Sequence, residues 1–233
     1  MKLVLVAGPS QSGSTLLFNM LRLILEQAGH RVDSCWHGEY TKGNFDKGAE
    51  YLVVKCHFYD HDLATVSSAV FLPVRDFRDS AVSCNRRYAS LKKPEDYEAF
   101  VLQNIAQFES WRRHAMYVFK YEKYAAHRES AVLEVAARLG IFNARIDNIL
   151  RSLDSLHAGQ GCPETDILPA DQRRELLKQD CYKKTLMTRS HNTSGGMVGL
   201  HATEVPKKTL QQLESNQTIR SFLTEYGYRL TRL

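Results

Sequence analysis

Residues Lys2 to Ala7 form a short apolar run that stops at Gly8-Pro9, and from there Leu16, Leu17, Met20, Leu21, Leu23 and Ile24 recur at helical spacing up to Gly29. A strand does not continue through a glycine followed by a proline, because proline lacks the ladder N–H and fixes φ. The chain therefore opens as strand, tight loop and helix. Such a unit buries its apolar faces only by joining a larger sheet.

Three further apolar runs have strand length: Tyr51 to Cys56, Ala69 to Val74 and Met116 to Lys120. The first two are each followed by polar residues and a helical pattern. The last precedes a helix-like stretch from Lys123 to Leu139, which Gly140 ends as a C-terminal glycine stop. Strands alternating with helices predict an α/β fold, one domain over residues 1–233 with a central parallel sheet covered by helices on both faces. At 233 residues, 43% hydrophobic and 24% charged, the chain is long enough to bury one such core. The Gly- and Pro-containing stretches His157 to Pro169 and Ser190 to Gly199 read as loops over a site rather than linkers between domains.

The formal charge of +5 favours an anionic ligand. Lys and Arg are scattered instead of gathered into a tail, which argues for a phosphate-bearing cofactor and against a nucleic-acid partner. Cys35, Cys56, Cys84, Cys162 and Cys181 are odd in number and include neither a C-x-x-C pair nor a zinc-like spacing with histidine, so they read as reduced thiols and no metal is expected. The N-terminal run is too short for a signal peptide and no uncharged run nears membrane-spanning length. The expectation is a soluble, cytoplasmic protein without a membrane partner. Oligomeric state is not legible.

The loop Gly8-Pro9-Ser10-Gln11-Ser12-Gly13-Ser14-Thr15 keeps the two glycines and the terminal hydroxyl of G-x-x-x-x-G-K-S/T but has Ser14 in place of the lysine. Backbone N–H groups and the following helix N-terminus suit a phosphate without further help. Losing the lysine removes the charge that reaches β- and γ-phosphates, so the fold expected is P-loop NTPase-like while an ATP or GTP enzyme is disfavoured. The plain alternative is a strand–turn–helix junction, against which the hydroxyls of Ser10, Ser12, Ser14 and Thr15 weigh.

The run Ala69 to Val74 leads directly into Arg75-Asp76-Phe77-Arg78-Asp79-Ser80-Ala81-Val82-Ser83. Arg75 then stands at the carboxyl end of a strand, the edge of a parallel sheet where ligands bind, with Ser83 two turns into the next helix. A guanidinium offers a planar fork for phosphate, and a hydroxyl adds a donor. Taken alone, Asp76, Arg78 and Asp79 equally suit a solvated helix start.

Together the two segments resemble the phosphate-binding elements of the cytosolic and bacterial small-molecule sulfotransferases that use 3′-phosphoadenosine 5′-phosphosulfate (PAPS). In that family a P-K/R-S-G-S/T-T loop holds the 5′-phosphosulfate, and a strand-end Arg with a Ser eight positions later holds the 3′-phosphate. Gln11-Ser12-Gly13-Ser14-Thr15 matches the first except at its basic position, and Arg75 with Ser83 matches the second. Lys55-Cys56-His57 is similar to the family's K-T-H, whose histidine is the catalytic base. Tyr121-Glu122 and Tyr226-Gly227-Tyr228 are weaker matches, and Arg189 to Gly196 resembles a flexible segment that closes over the 3′-phosphate.

The resemblance implies transfer of a sulfuryl group from PAPS to a hydroxyl or amine of a small-molecule acceptor, leaving PAP and needing no metal. It implies donor-site roles for Ser10, Gln11, Ser12, Gly13, Ser14, Thr15, Arg75, Ser83, Tyr121, Arg189 and Gly195, and catalytic roles for His57, Lys55 and Gln11. Histidine suits proton removal near neutral pH on its own chemistry. Gln11 departs from the family, because an amide donates a hydrogen bond but neutralises no charge, and Lys55 is the expected substitute. Trp36, His37 and Glu39, which follow an expected strand, and Tyr59 and Asp60 after His57 are candidates for the acceptor pocket, where carboxylates suit a cationic or polyhydroxylated molecule. Two other readings stay open: a P-loop kinase for a nucleoside or small metabolite, and a nucleotide-binding relative without turnover.

Overall fold

The computed structural model describes residues 1–157 and 196–231. Five strands, β1 (Lys2–Ala7), β2 (Val32–Trp36), β3 (Tyr51–Cys56), β4 (Ala69–Val74) and β5 (Tyr117–Lys120), form one parallel sheet in the order β2-β3-β1-β4-β5. Between them, and numbered among the described residues, lie α1 (Ser14–Gln27), α2 (His37–Tyr40), α3 (His61–Val66), α4 (Phe77–Tyr88) and α5 (Pro94–Arg112). After β5 come α6 (Tyr121–Ala126), α7 (Arg128–Arg138), α8 (Ile146–His157), α9 (His201–Glu204), α10 (Lys207–Ser215) and α11 (Gln217–Glu225). The α/β fold with a helix-flanked parallel sheet is the one expected from the sequence.

Alternation along the strands explains the layers. Leu3, Leu5, Leu52, Val54, Leu72 and Val74 face a core closed by Phe77, Phe108, Trp111, Leu213 and Phe222 from α4, α5, α10 and α11. Their neighbours Val4, Val6, Val53, Phe71 and Phe119 face the opposite core, closed by Leu17, Leu21 and Ile24 of α1 with Val132, Val135, Ile149 and Leu153. A period of two with both faces apolar is what a strand covered on both sides requires.

Two details differ from expectation. The four apolar runs omit β2, whose Asp33 and Ser34 interrupt any apolar signal; it is an edge strand paired only with β3, and Trp36 is its last residue rather than following it. The stretch Lys123 to Leu139 is not one helix, because the backbone breaks at His127 (φ −142°, ψ 70°) between α6 and α7. Gly140, at φ 74°, does end α7 in the left-handed conformation.

The sheet order places β1 between β3 and β4, so the chain leaves β1 toward one edge and later enters β4 on the other side. The loops after β1 and β4 thus meet where the strand order reverses, the usual ligand crevice of open α/β sheets. Pairing of β1 with β4 ends at Val6–Phe71, two residues before Pro73, whose missing N–H cannot extend it.

The helix start after β4 is anything but solvated: Asp76, Arg78 and Asp79 are 5%, 1% and 1% exposed. Arg78 Nε and Nη2 donate to the Asp76 carboxylate at 3.0 and 2.6 Å, Nη1 pairs with Glu214 of α10, and Nη2 also reaches the Arg229 carbonyl at 2.8 Å. Glu122, at the start of α6, accepts from the Asp76 N–H at 2.8 Å and the Tyr228 hydroxyl at 3.2 Å, with burial holding its carboxyl above the ordinary range. The C-terminal residues are therefore tied through buried charge to the end of β4. Arg78→Met, which leaves both carboxylates buried without their cation, is expected to cost about 3–5 kcal/mol in urea unfolding.

Candidate active site

The site grows out of the β1–β3 register. Ala7 lies opposite Cys56, so both strands end together and Lys55 and His57 come to the mouth of the loop after β1. The Gly8 N–H donates to the Cys56 carbonyl at 3.1 Å, and His57 Nδ1 donates back to the Gly8 carbonyl at 2.8 Å. Gly8 (φ 149°) has no room for a Cβ, which would lie 2.8 Å from Leu72 Cδ1.

The rest of the loop is held from several sides. Ser12 Oγ donates to the Pro9 carbonyl at 2.7 Å, Ser80 Oγ of α4 to the Gln11 carbonyl at 3.1 Å, and Asn104 Nδ2 of α5 to the Ser10 carbonyl at 3.4 Å. These bonds hold Gln11 in the left-handed region at φ 58°, costly for a residue with a side chain. Gly13, at φ 88°, starts α1 with no side-chain cap and no acidic residue in the first turn. The first amides of that helix are open to an anion.

Two cations approach this loop without a carboxylate partner among the described residues. Lys55, 5% exposed, donates from Nζ to Thr15 Oγ1 at 2.6 Å and lies 5.8 Å from the Trp36 ring centroid. Burial, helped by repulsion from Arg87, lowers its ammonium to about 7. Next to it, burial and the Lys55 charge push half-buried His57 down to about 3, so the imidazole is neutral. Because Nδ1 must donate to a carbonyl that can only accept, the free lone pair is on Nε2. Trp36 packs edge-on to that ring at 5.1 Å.

The second cation is Arg75, 4% exposed. Nη1 donates to Ser83 Oγ at 3.1 Å, Nη2 to the Met197 carbonyl at 2.9 Å, and the guanidinium lies 4.7 Å from the Tyr121 ring centroid. Its Nε is buried with no partner among the described residues. Tyr121 joins the two halves of the site: a Cβ on Gly13 would fall 2.5 Å from its ring, so it touches the loop after β1 and Arg75 at once.

Structure thus brings together Ser10, Gln11, Ser12, Gly13, Ser14, Thr15, Lys55, His57, Arg75, Ser83 and Tyr121. Arg189 and Gly195 lie outside the described residues, as do Cys162 and Cys181; Cys35, Cys56 and Cys84 are buried free thiols. On the expected acceptor side, His37 Nε2 meets Asp60 Oδ2 at 3.1 Å, and Asp60 also caps α3 through the Leu63 N–H. Glu39 is engaged by Asn44 Nδ2 at 2.8 Å and Lys42 Nζ at 3.6 Å. Tyr59 packs on Trp111 and bonds His114 and Arg113 at the end of α5. Missed by the sequence reading are Ser80 and Asn104, which hold the loop; Ser80 sits within the Arg75 segment, but Asn104 carries no local signal. Among the described residues no cluster of three or more His, Cys, Asp or Glu is arranged for a metal, and no helix is long and apolar enough to cross a membrane.

No family model matches the chain, and no curated protein matches it by sequence. Solved structures do match it in fold. A mouse sulfotransferase complexed with PAP superposes with a TM-score of 0.64 at 15% identity, covering 97% of this chain and 88% of its own. Retinol dehydratase with androsterone and inactive cofactor PAP gives 0.62 at 15% identity over 100% and 84%, and retinol dehydratase with retinol and PAP gives 0.58 at 14% over 99% and 84%. The fold is that of the sulfotransferases.

Gly13→Ala combines a left-handed backbone with a Cβ 2.5 Å from Tyr121, and is expected to lower stability by about 2 kcal/mol or more in denaturant unfolding.

Proposed function

We propose that this chain is a PAPS-dependent sulfotransferase, moving the sulfuryl group to a hydroxyl or amine of a small-molecule acceptor and releasing PAP. One observation carries the reading: Arg75, buried with no carboxylate and no Nε partner among the described residues, beside the Ser83 hydroxyl and across Tyr121 from an uncapped helix start. A desolvated cation with a spare donor is costly until an anion meets it. PAP has a phosphate at each end of its ribose, which suits two separate anion sites: Arg75 with Ser83 for the 3′-phosphate, and the loop from Ser10 to Thr15 for the 5′ end. The PAP-bound neighbours of the same fold support this assignment.

PAPS supplies a sulfuryl group on a phosphate leaving group; the chain supplies alignment and charge. Nε2 of His57 takes the acceptor proton as the new bond to sulfur forms and the bond from sulfur to the phosphate oxygen breaks, while Lys55 faces the negative charge growing on that oxygen. Gln11 adds at most an amide hydrogen bond where the family has a cation, which puts the electrostatic work on Lys55. A neutral imidazole at low pKa is a weak base; an anion bound beside Lys55 offsets the Lys55 share of that depression, while the larger share, from burial, is unchanged by it. Trp36, His37, Glu39, Tyr59 and Asp60 are assigned to the acceptor side, and the protein is taken as a soluble, cytoplasmic single domain that acts without metal, nucleic acid or membrane. The kinase reading is weaker, because Ser14 stands where a triphosphate loop needs lysine and the Arg75–Ser83 pair has no role in it.

His57→Ala is expected to abolish transfer of labelled sulfuryl from PAPS across an acceptor panel while PAP affinity stays within about threefold, whereas Arg75→Ala weakens PAP binding about thirtyfold by calorimetry. A wild-type protein that binds PAP but leaves PAPS intact with every acceptor would point to the inactive relative instead.

The Lys55 ammonium at about 7 has a further consequence. Only its charged form attracts the 5′-phosphate, and that form is lost as pH rises through the folded value, so PAP affinity should fall between pH 7 and 9. In Lys55→Arg, whose guanidinium stays charged, calorimetric affinity should be flat over the same range.

A further inference from the structure

Residues 196–201 form one wall of the Arg75 site. The Met197 carbonyl accepts from Arg75 Nη2 at 2.9 Å, and Gly196 sits so close to Tyr121 that a Cβ would be 3.4 Å from its hydroxyl. Met197 and Val198 are themselves 52% and 45% exposed, and the apolar packing of the segment comes from Leu200, partly buried against the core. Its polar anchor is Asp79 in the first turn of α4, 1% exposed. Its Oδ2 accepts from the Gly199 N–H at 2.6 Å, and its Oδ1 from the His201 N–H at 2.9 Å and His201 Nδ1 at 2.7 Å. Gly196 and Gly199, at φ 78° and 80°, take left-handed turns that glycine makes without strain, which brings both N–H groups onto one carboxylate.

We propose that Asp79 and His201 form a clasp that positions residues 196–201 over Arg75, so that the phosphate site exists before its ligand arrives. The inference rests on the reading of Arg75 as a PAP phosphate site and adds the residues that prepare it. Neither Asp79 nor His201 contacts the Arg75 guanidinium; both act through the segment between them. A glycine-containing segment left free would have to be ordered at the moment of binding, and that entropy would come out of the affinity. A wall that keeps water from Arg75 also strengthens its attraction for a phosphate. The clasp is local to one helix turn and one short segment, so breaking it should act on binding more than on folding.

Calorimetric titration of PAP into the full chain, with thermal unfolding of each variant, tests this. His201→Ala removes the side-chain donor and should raise the PAP dissociation constant about tenfold, while His201→Asn, whose Nδ2 lies close to the place of Nδ1, should return it to within about threefold of wild type. Wild-type binding by His201→Ala would overturn the clasp and leave the PAP site standing. Equal loss in the Ala and Asn variants, tracking their melting temperatures, would also overturn it, since that pattern belongs to a purely structural contact. If the wild-type protein itself does not bind PAP, the reading of Arg75 fails and the clasp falls with it.

Discussion

A guanidinium buried with no carboxylate partner among the described residues is the constraint around which this structure is arranged. Arg75 leaves β4 into the interior and is met by a hydroxyl, a carbonyl and an aromatic face, none of which neutralises it. Each partner comes from a different element: Ser83 from α4, Met197 from the segment before α9, Tyr121 from the first position of α6. Arg78, three residues on, shows the contrasting solution. It is equally buried but saturated by Asp76, Glu214 and the Arg229 carbonyl, and so serves the fold rather than a ligand. Among the described residues, these two arginines differ in one respect: Arg78 is matched by carboxylates and Arg75 is not.

The second buried cation, Lys55, imposes its own order on the neighbouring chemistry. Burial, and after it the Lys55 charge, depresses His57, whose bond to the Gly8 carbonyl selects the tautomer with a free Nε2. The same carbonyl belongs to the glycine that turns the chain out of β1, so backbone geometry and proton inventory are set together. Gln11 brings an uncharged amide to this loop, and its left-handed backbone is held by Ser80 and its loop neighbours. The cation that touches this loop directly, Lys55, is thus one whose own proton is loosely held, with Arg87 adding to the positive field around it.

Much of the fold was legible because the signals are local. Runs of buried aliphatic residues bounded by Gly-Pro or Arg-Asp mark β1 and β4, and Arg75 with Ser83 is legible because a strand-end residue and one two helical turns later fall on the same side of the next helix. Edge strand β2 carries no apolar run because Asp33 and Ser34 interrupt it, and the break at His127 has no local signal because its flanks on both sides carry helix-forming residues. Asp76, Arg78 and Asp79 read equally well as a solvated helix start, because whether charge is solvated depends on what packs over it, here α10 and the C-terminal residues.

By itself, the sequence determined the strand–loop–helix opening, the alternation that makes a two-sided parallel sheet, and the identity of the residues at the strand ends, all of which depend on neighbours within a few turns. Only the tertiary structure decided that Tyr121 bridges Gly13 and Arg75, that Asn104 and Ser80 hold the loop, that Tyr59 turns toward Trp111 and His114, and that Asp79 captures His201. Those pairings join positions far apart in the chain. They follow from strand order and register, which a one-dimensional pattern of polarity does not encode, and it is the desolvation they bring that turns ordinary lysine, histidine and arginine side chains into a site.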